Sequence, residues 1–167
     1  WVWLDHIGLD EEEIKKRVDL ISEEFGLVDY LETNPYRLGF SIRKSVGMAS
    51  IIAMEPDVIV LDEPTTGQDY LGIKAIRLAI KKLKDQGKTV IVVSHDMPLV
   101  AEDTDRVLVM CETELIFDGT PSRLFSDKST LQKTNLLPPQ ITSFTQKIGI
   151  SKENESLLSV EAAAKTL

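Results

Sequence analysis

The sequence predicts an α/β protein built on a parallel sheet, and three observations carry that expectation. Val58–Leu61 and Thr89–Val93 are unbroken apolar runs between turn signals, the pattern of strands covered on both faces. Between them, residues 70–85 place Ile73, Ile76, Ile80 and Leu83 on one helical face, and Gly87 follows as a stop. A further apolar strand at 106–110 comes after a short helix at 98–102, so strand and helix alternate as a parallel sheet requires.

The remaining elements follow from the same patterns. Glu11–Phe25 (EEEIKKRVDLISEEF) is a helix with Ile14, Val18, Ile21 and Phe25 on one face, capped by Asp10 and ended by Gly26. Residues 27–40 are mixed, with Asn34-Pro35 as a break. A second helix covers 41–54, apolar at Val46, Met48, Ala49, Ile52 and Ala53, and Pro56 stops it. Glu114–Phe117 is a short antiparallel partner for 106–110, and Gly119-Thr120-Pro121 starts a helix through Phe125. The tail, 126–167, is polar and weakly periodic, with helices expected at 140–148 and after Ser159.

Composition narrows the function classes. The 167 residues are 43% hydrophobic and 28% charged, as in an ordinary globular domain with a core of its own. The net charge is -8 and the pI about 4.8. The densest basic stretch, Lys81-Lys82 and Lys84, fits a solvated helix face, so nucleic acid is not expected as a partner. Cys111 is the single cysteine, which excludes an intrachain disulfide and two-cysteine metal motifs. No apolar run reaches the ~18 residues that cross a bilayer.

The chemistry concentrates in VIVLDEPTTGQD, residues 58–69, where an apolar strand ends on the adjacent acids Asp62 and Glu63. Ligands of open parallel sheets bind beyond the carboxyl ends of the strands. There, one carboxylate can hold a hydrated Mg2+ and the other can polarise a water. His95 closes the next strand and can donate a hydrogen bond to a phosphate oxygen. Taken singly, the acids read as a solvated strand end with a helix cap, and the histidine as structural. Together, one helix apart, they point to phosphoryl transfer to water.

At these residues the sequence resembles the ABC-type ATPases. VIVLDEPTTGQD is similar to their Walker B motif and D-loop, and VIVVSHD to their H-loop. The resemblance spans about residues 4–125 and takes in 106–110 and Asp118-Gly119-Thr120-Pro121. It implies part of a P-loop NTPase fold, divided into a helical signature subdomain at 1–50, catalytic core at 51–125 and helical tail at 126–167. It further implies ATP and Mg2+ as cofactors, with Asp62 holding Mg2+ through water and Glu63 as general base. His95 would contact the γ-phosphate, and Asp69 would communicate across a dimer with a second ABC ATPase domain.

Two departures qualify the resemblance. The sequence has no G-x-x-x-x-G-K-[ST] loop; Gly87-Lys88-Thr89 precedes a strand instead of opening a helix, and Lys82 stands where the first glycine belongs. The family's Q-loop is missing too. With Trp1 as first residue, the expectation is the second half of an ABC domain, inactive by itself. The signature LSGGQ corresponds to Leu38-Gly39-Phe40-Ser41-Ile42. Gly39 and Ser41 are the expected nucleotide-facing positions, and Phe40 hinders the close backbone approach that glycine permits. The site completed by this signature is therefore expected to be weakened.

The tail resembles the energy-coupling factor ATPases, which drive uptake of vitamins or of cobalt and nickel ions. Leu136-Leu137-Pro138-Pro139-Gln140-Ile141-Thr142 and Ser159-Val160-Glu161 carry that likeness, as does Ile51–Pro56. It implies a peripheral position on the cytoplasmic face of the membrane, with a transmembrane transporter subunit docked near residues 1–50. Three alternatives remain open at this point: an ABC ATPase without a transporter, a non-catalytic module of the same fold, and a DEAD-box-like helicase. Acidic charge argues against the first; intact Asp62, Glu63 and His95 against the second; Pro64-Thr65 and the lack of basic surface against the third.

Overall fold

A computed structural model describes residues 2–150 and 156–166. The chain divides into two compact units, Trp1–Val93 and Ser94–Leu167.

The first unit opens with α1 (Val2–His6) and α2 (Glu11–Glu24). Helix α2 starts where predicted because the Asp10 carboxylate accepts the Glu13 N–H at 2.9 Å. It ends at Gly26, whose φ of +63° few other residues adopt without strain. Two 3-10 turns, Val28–Tyr30 and Pro35–Arg37, fill the stretch left mixed by the sequence. Then come α3 (Phe40–Ile52), β1 (Val58–Asp62), α4 (Tyr70–Asp85) and β2 (Thr89–Val93). Strands β1 and β2 pair in parallel from Val58↔Thr89 to Asp62↔Val93. Ile14, Ile21, Met48, Ile52, Ile59, Leu61, Ile76, Ile80 and Leu83 are buried.

Two-sided burial of these strands is not observed. Ile59 and Leu61 are buried, but Val58 and Val60 are 57% and 62% exposed, and Ile91 and Val93 are also exposed. Side chains alternate across a strand, and the elements described here cover only the face that carries Ile59 and Leu61. The apolar run matches a strand with cover on both sides; the described elements of the first unit supply one.

The second unit contains α5 (Met97–Asp103), β3 (Val107–Cys111), β4 (Glu114–Gly119), α6 (Pro121–Ser126), α7 (Lys128–Thr134), α8 (Gln140–Lys147) and α9 (Val160–Ala164). The sequence predicts that 106–110 extends the parallel sheet; among the described residues β3 pairs only with β4, antiparallel. The two-residue turn Glu112–Thr113, with φ of +49° and +69°, folds β4 straight back onto β3 as the antiparallel partner expected there. Val100, Ala101, Val109, Leu124 and Phe125 form the core, with Leu131, Leu136 and Leu158 from the tail packed against it.

The tail is more ordered than its polar sequence suggests. Thr142 and Thr145 are fully buried. Thr142 donates to the Leu157 carbonyl at 2.7 Å and Thr145 to the Thr142 carbonyl at 3.0 Å. Ser122 accepts the Ser156 N–H at 2.8 Å, and the Gln146 amide donates to the Phe125 carbonyl at 2.9 Å. Buried hydroxyls with partners are tolerated in a core, yet they leave no hydrophobic periodicity to read. Helix α7 likewise has no hydrophobic periodicity to mark it. It is set by its ends: Asp127 caps Ser129 and Thr130, and Asn135 closes it at φ +54°.

Hydrogen bonds from the Thr130 hydroxyl at 2.6 Å and the Ser129 hydroxyl at 2.8 Å, reinforced by the N–H groups of the same two residues, hold the Asp127 carboxyl down at about 2. A lowered pKa stabilises the fold above the ordinary aspartate value near ~3.9, and the contribution is lost as pH falls toward about 2. Asp127→Ala is expected to lose about 1 kcal/mol at pH 7. In urea unfolding followed from pH 7 to pH 3, its deficit against the parent should shrink below pH 4. In the first unit, Ile76 is 0% exposed, so Ile76→Ala should lower the urea midpoint by the equivalent of about 2–5 kcal/mol with an unchanged slope.

Candidate functional site

The site is built at the carboxyl end of β1. Asp62 is the last strand residue and is exposed. The Glu63 N–H donates to the Val93 carbonyl at 2.8 Å, which carries the β1–β2 ladder one residue further. Glu63 itself turns into the left-handed region, at φ +44°. Such a backbone costs a non-glycine residue about 1–2 kcal/mol, so its neighbours must hold it. Pro64 is fully buried and Thr65 is 7% exposed, so the turn is anchored inward directly after the acids. The Thr66 N–H donates back to the Glu63 carbonyl at 3.3 Å, and the Thr66 hydroxyl donates to Glu63 Oε2 at 3.2 Å. Gly67 continues at φ +74°, and Asp69 caps α4 by accepting the Gly72 N–H at 2.8 Å.

The start of α3 lies against this turn. Lys44 Nζ donates to the carbonyls of Glu63 and, at 3.0 Å, of Thr66. The Ser41 hydroxyl donates to Gln68 Oε1 at 2.9 Å, and Gln68 Nε2 donates to the Ser41 carbonyl at 3.3 Å. The Phe40 ring sits over Gly67 so closely that a Cβ there would lie 2.5 Å from a ring carbon. Gly72 has an equally local reason: the Gln68 carboxamide fills the space a side chain would take, 2.3 Å from an ideal Cβ.

The structure therefore brings five predicted residues into one unit: Gly39 and Ser41 at the start of α3, Asp62 at the end of β1, and Glu63 and Asp69 on either side of the turn that follows. Gly39 is the residue before α3, at φ −60° with open space around it, so nothing in this chain demands glycine there. Phe40 is 59% exposed. His95 belongs to the second unit, where it is exposed two residues after β2. Lys44, Thr66 and Gln68 were not predicted as site residues. Their only sequence signal is the basic character of Arg43-Lys44 and the polar run 65–69, because a contact over some twenty residues leaves no local pattern.

Chemically, the turn presents two adjacent carboxylates with different supports. Asp62 follows the strand direction; Glu63 is rotated by its positive φ, and its carboxylate is held by Thr66. No cluster of three or more metal-ligating side chains occurs among the described residues. Mg2+ typically takes one or two carboxylates with water and phosphate oxygens, and an exposed carboxylate such as Asp62 fits that demand.

No family model matches the sequence. The chain is 41% identical over 150 residues to a putative ABC transporter ATP-binding protein of Methanosarcina acetivorans, covering 88% of this chain and 24% of that protein. It is 39% identical over 145 residues to the energy-coupling factor transporter ATP-binding protein EcfA1 of Caldanaerobacter subterraneus, covering 86% of this chain and 52% of that one. Among solved structures it is similar to cbiO1 of Clostridium perfringens, part of the ABC transporter complex cbiONQ. That match has 35% identity and a TM-score of 0.61, over 83% of this chain and 55% of that chain. The chain spans about half the length, or less, of the curated relatives it matches. By sequence and by fold, the chain is a homologue of the ATP-binding proteins of ABC transporters, energy-coupling factor ATPases included, and carries part of the ABC ATPase fold.

Proposed function

We propose that this chain supplies the carboxylate side of an ATP-hydrolysing site in an ABC-type uptake transporter. The observation that carries this is the Asp62–Glu63 pair at the end of a parallel strand, with Glu63 held at φ +44°. In this reading Asp62 holds Mg2+ through water, Glu63 is the general base that orients and deprotonates the attacking water, and His95 donates a hydrogen bond to the γ-phosphate. Bound Mg2+ would neutralise charge developing on the phosphate oxygens. Asp69, through its place at the turn's end, would face a second ABC ATPase domain, with Gly39 and Ser41 facing that domain's nucleotide. By the same resemblance, 1–50 acts as signature subdomain, 51–125 as catalytic core and 126–167 as tail.

The partner reading follows the relatives' names. A transmembrane subunit on the cytoplasmic side would dock at the first unit. An apolar cavity of about 210 Å³ lined by Leu4, Val18, Leu27, Leu31, Leu38 and Val46 supports that site. No helix among the described residues is long and apolar enough to cross a membrane. The tail's likeness supports an energy-coupling factor system for vitamins or for cobalt or nickel ions. The substituted signature is weakened as a nucleotide contact: the Phe40 ring covers Gly67 and the Ser41 hydroxyl is engaged by Gln68.

The test supplies what these 167 residues lack, a phosphate-cradling loop. The chain, joined to a Walker A-bearing segment of an EcfA relative, should release phosphate from ATP in a Mg2+-dependent manner. Asp62→Asn should raise the Mg2+ needed for half-maximal turnover about tenfold or more. Phosphate release no greater than from the added segment alone would remove the reading. In the same assembly, Leu-Ser-Gly-Gly-Gln placed at 38–42 should increase turnover; unchanged turnover would show that the native signature is not impaired.

A further inference from the structure

The left-handed backbone of Glu63 needs a cause. Residues in costly regions of φ/ψ persist only where their surroundings over-determine them. The ladder bond to Val93 fixes Glu63 from its N–H side. On its carbonyl side two donors converge: the Thr66 N–H, from within the turn, and Lys44 Nζ, from helix α3. Lys44 also takes the Thr66 carbonyl at 3.0 Å, so one ammonium spans both ends of the Glu63–Thr66 turn. Hydrogen bonds from a charged donor are roughly twice as strong as neutral ones. Thr66 in turn carries the hydroxyl that donates to the Glu63 carboxylate at 3.2 Å. Holding the Thr66 carbonyl therefore holds the residue that aims Oε2.

We propose that Lys44 is a positioning residue: it fixes the Glu63 backbone and, through Thr66, the direction of the Glu63 carboxylate. This rests on the reading of Glu63 as general base. It couples the start of α3 to the water-orienting group, so a displacement of α3 moves the base. Gln68, tied to Ser41 and Ser45 (hydroxyl to Oε1 at 2.9 and 3.5 Å), makes a second strap at the far end of the turn. Among the described residues the ammonium donates to the carbonyl oxygens of Glu63 and Thr66, and it takes no proton from the reaction.

The experiment uses the 167-residue chain and its NMR signals. Lys44→Met should shift the Glu63 Cα resonance and amide–Hα coupling, which report φ, and speed Thr66 amide exchange about tenfold. Lys44→Arg, which keeps a charged donor, should restore both. Protection at Ile76 and Ile80 should stay within twofold, since those residues lie in the α4 core rather than the turn. Unchanged Glu63 and Thr66 signals in Lys44→Met would overturn the proposal. So would an equal loss of protection at Ile76 and Ile80, which would mark a general structural role, or a failure of arginine to rescue. In the P-loop-supplied assembly, Lys44→Met should lower kcat and leave KM for ATP within about twofold; a change confined to KM would contradict the proposal. If Glu63→Gln kept full turnover there, the base assignment would fall while the NMR result on Lys44 stood.

Discussion

The local chemistry of the first unit depends on one backbone constraint, the left-handed conformation of Glu63. A strand that simply continued would send Asp62 and Glu63 to opposite faces. The positive φ instead ends the strand at Asp62, turns the chain inward at buried Pro64 and Thr65, and brings Thr66 back within hydrogen-bond reach of the Glu63 carboxylate. It also exposes two carbonyls to α3, where Lys44 satisfies both. The strain costs about 1–2 kcal/mol, and several hydrogen bonds, one of them to the ladder and others to an ammonium, offset it.

The same constraint explains why the signature segment matters even where it departs from the family pattern. Phe40 and Ser41 stand where the resemblance places the signature's glycines, and both are engaged within the chain, one over Gly67 and one with Gln68. A glycine pair would leave that surface open for backbone approach by a ligand. Here the substituted residues bind the turn that carries the acids, so the start of α3 acts on Glu63 in its own chain.

Much of this was legible in the sequence, for identifiable reasons. Asp10 and Ser159 cap helices because a carboxylate or hydroxyl at a helix start satisfies the first free N–H groups. The run 58–63 announced its strand, since four apolar residues between turn signals need a sheet to pack in. What stayed hidden has physical causes too. The period-2 pattern of β1 says which side chains share a face but not which face finds a cover, so the exposure of Val58 and Val60 was unforeseen. The polar ties of the tail, Thr142 to Leu157 and Ser122 to Ser156, satisfy buried groups without any hydrophobic signal. The hairpin expected from 106–110 and Glu114–Phe117 does form, although its turn, Glu112–Thr113, uses positive φ without glycine or asparagine. Lys44 leaves no local signal because its partners lie far along the chain.

The account stands on Glu63 as the base of a phosphoryl transfer to water. The most direct measurement is single-turnover ATP cleavage by the P-loop-supplied assembly carrying Glu63→Gln, with nucleotide retention followed on the same samples. The account predicts a loss of cleavage of about 10²-fold or more with ATP still bound. Cleavage at the parent's rate would contradict it.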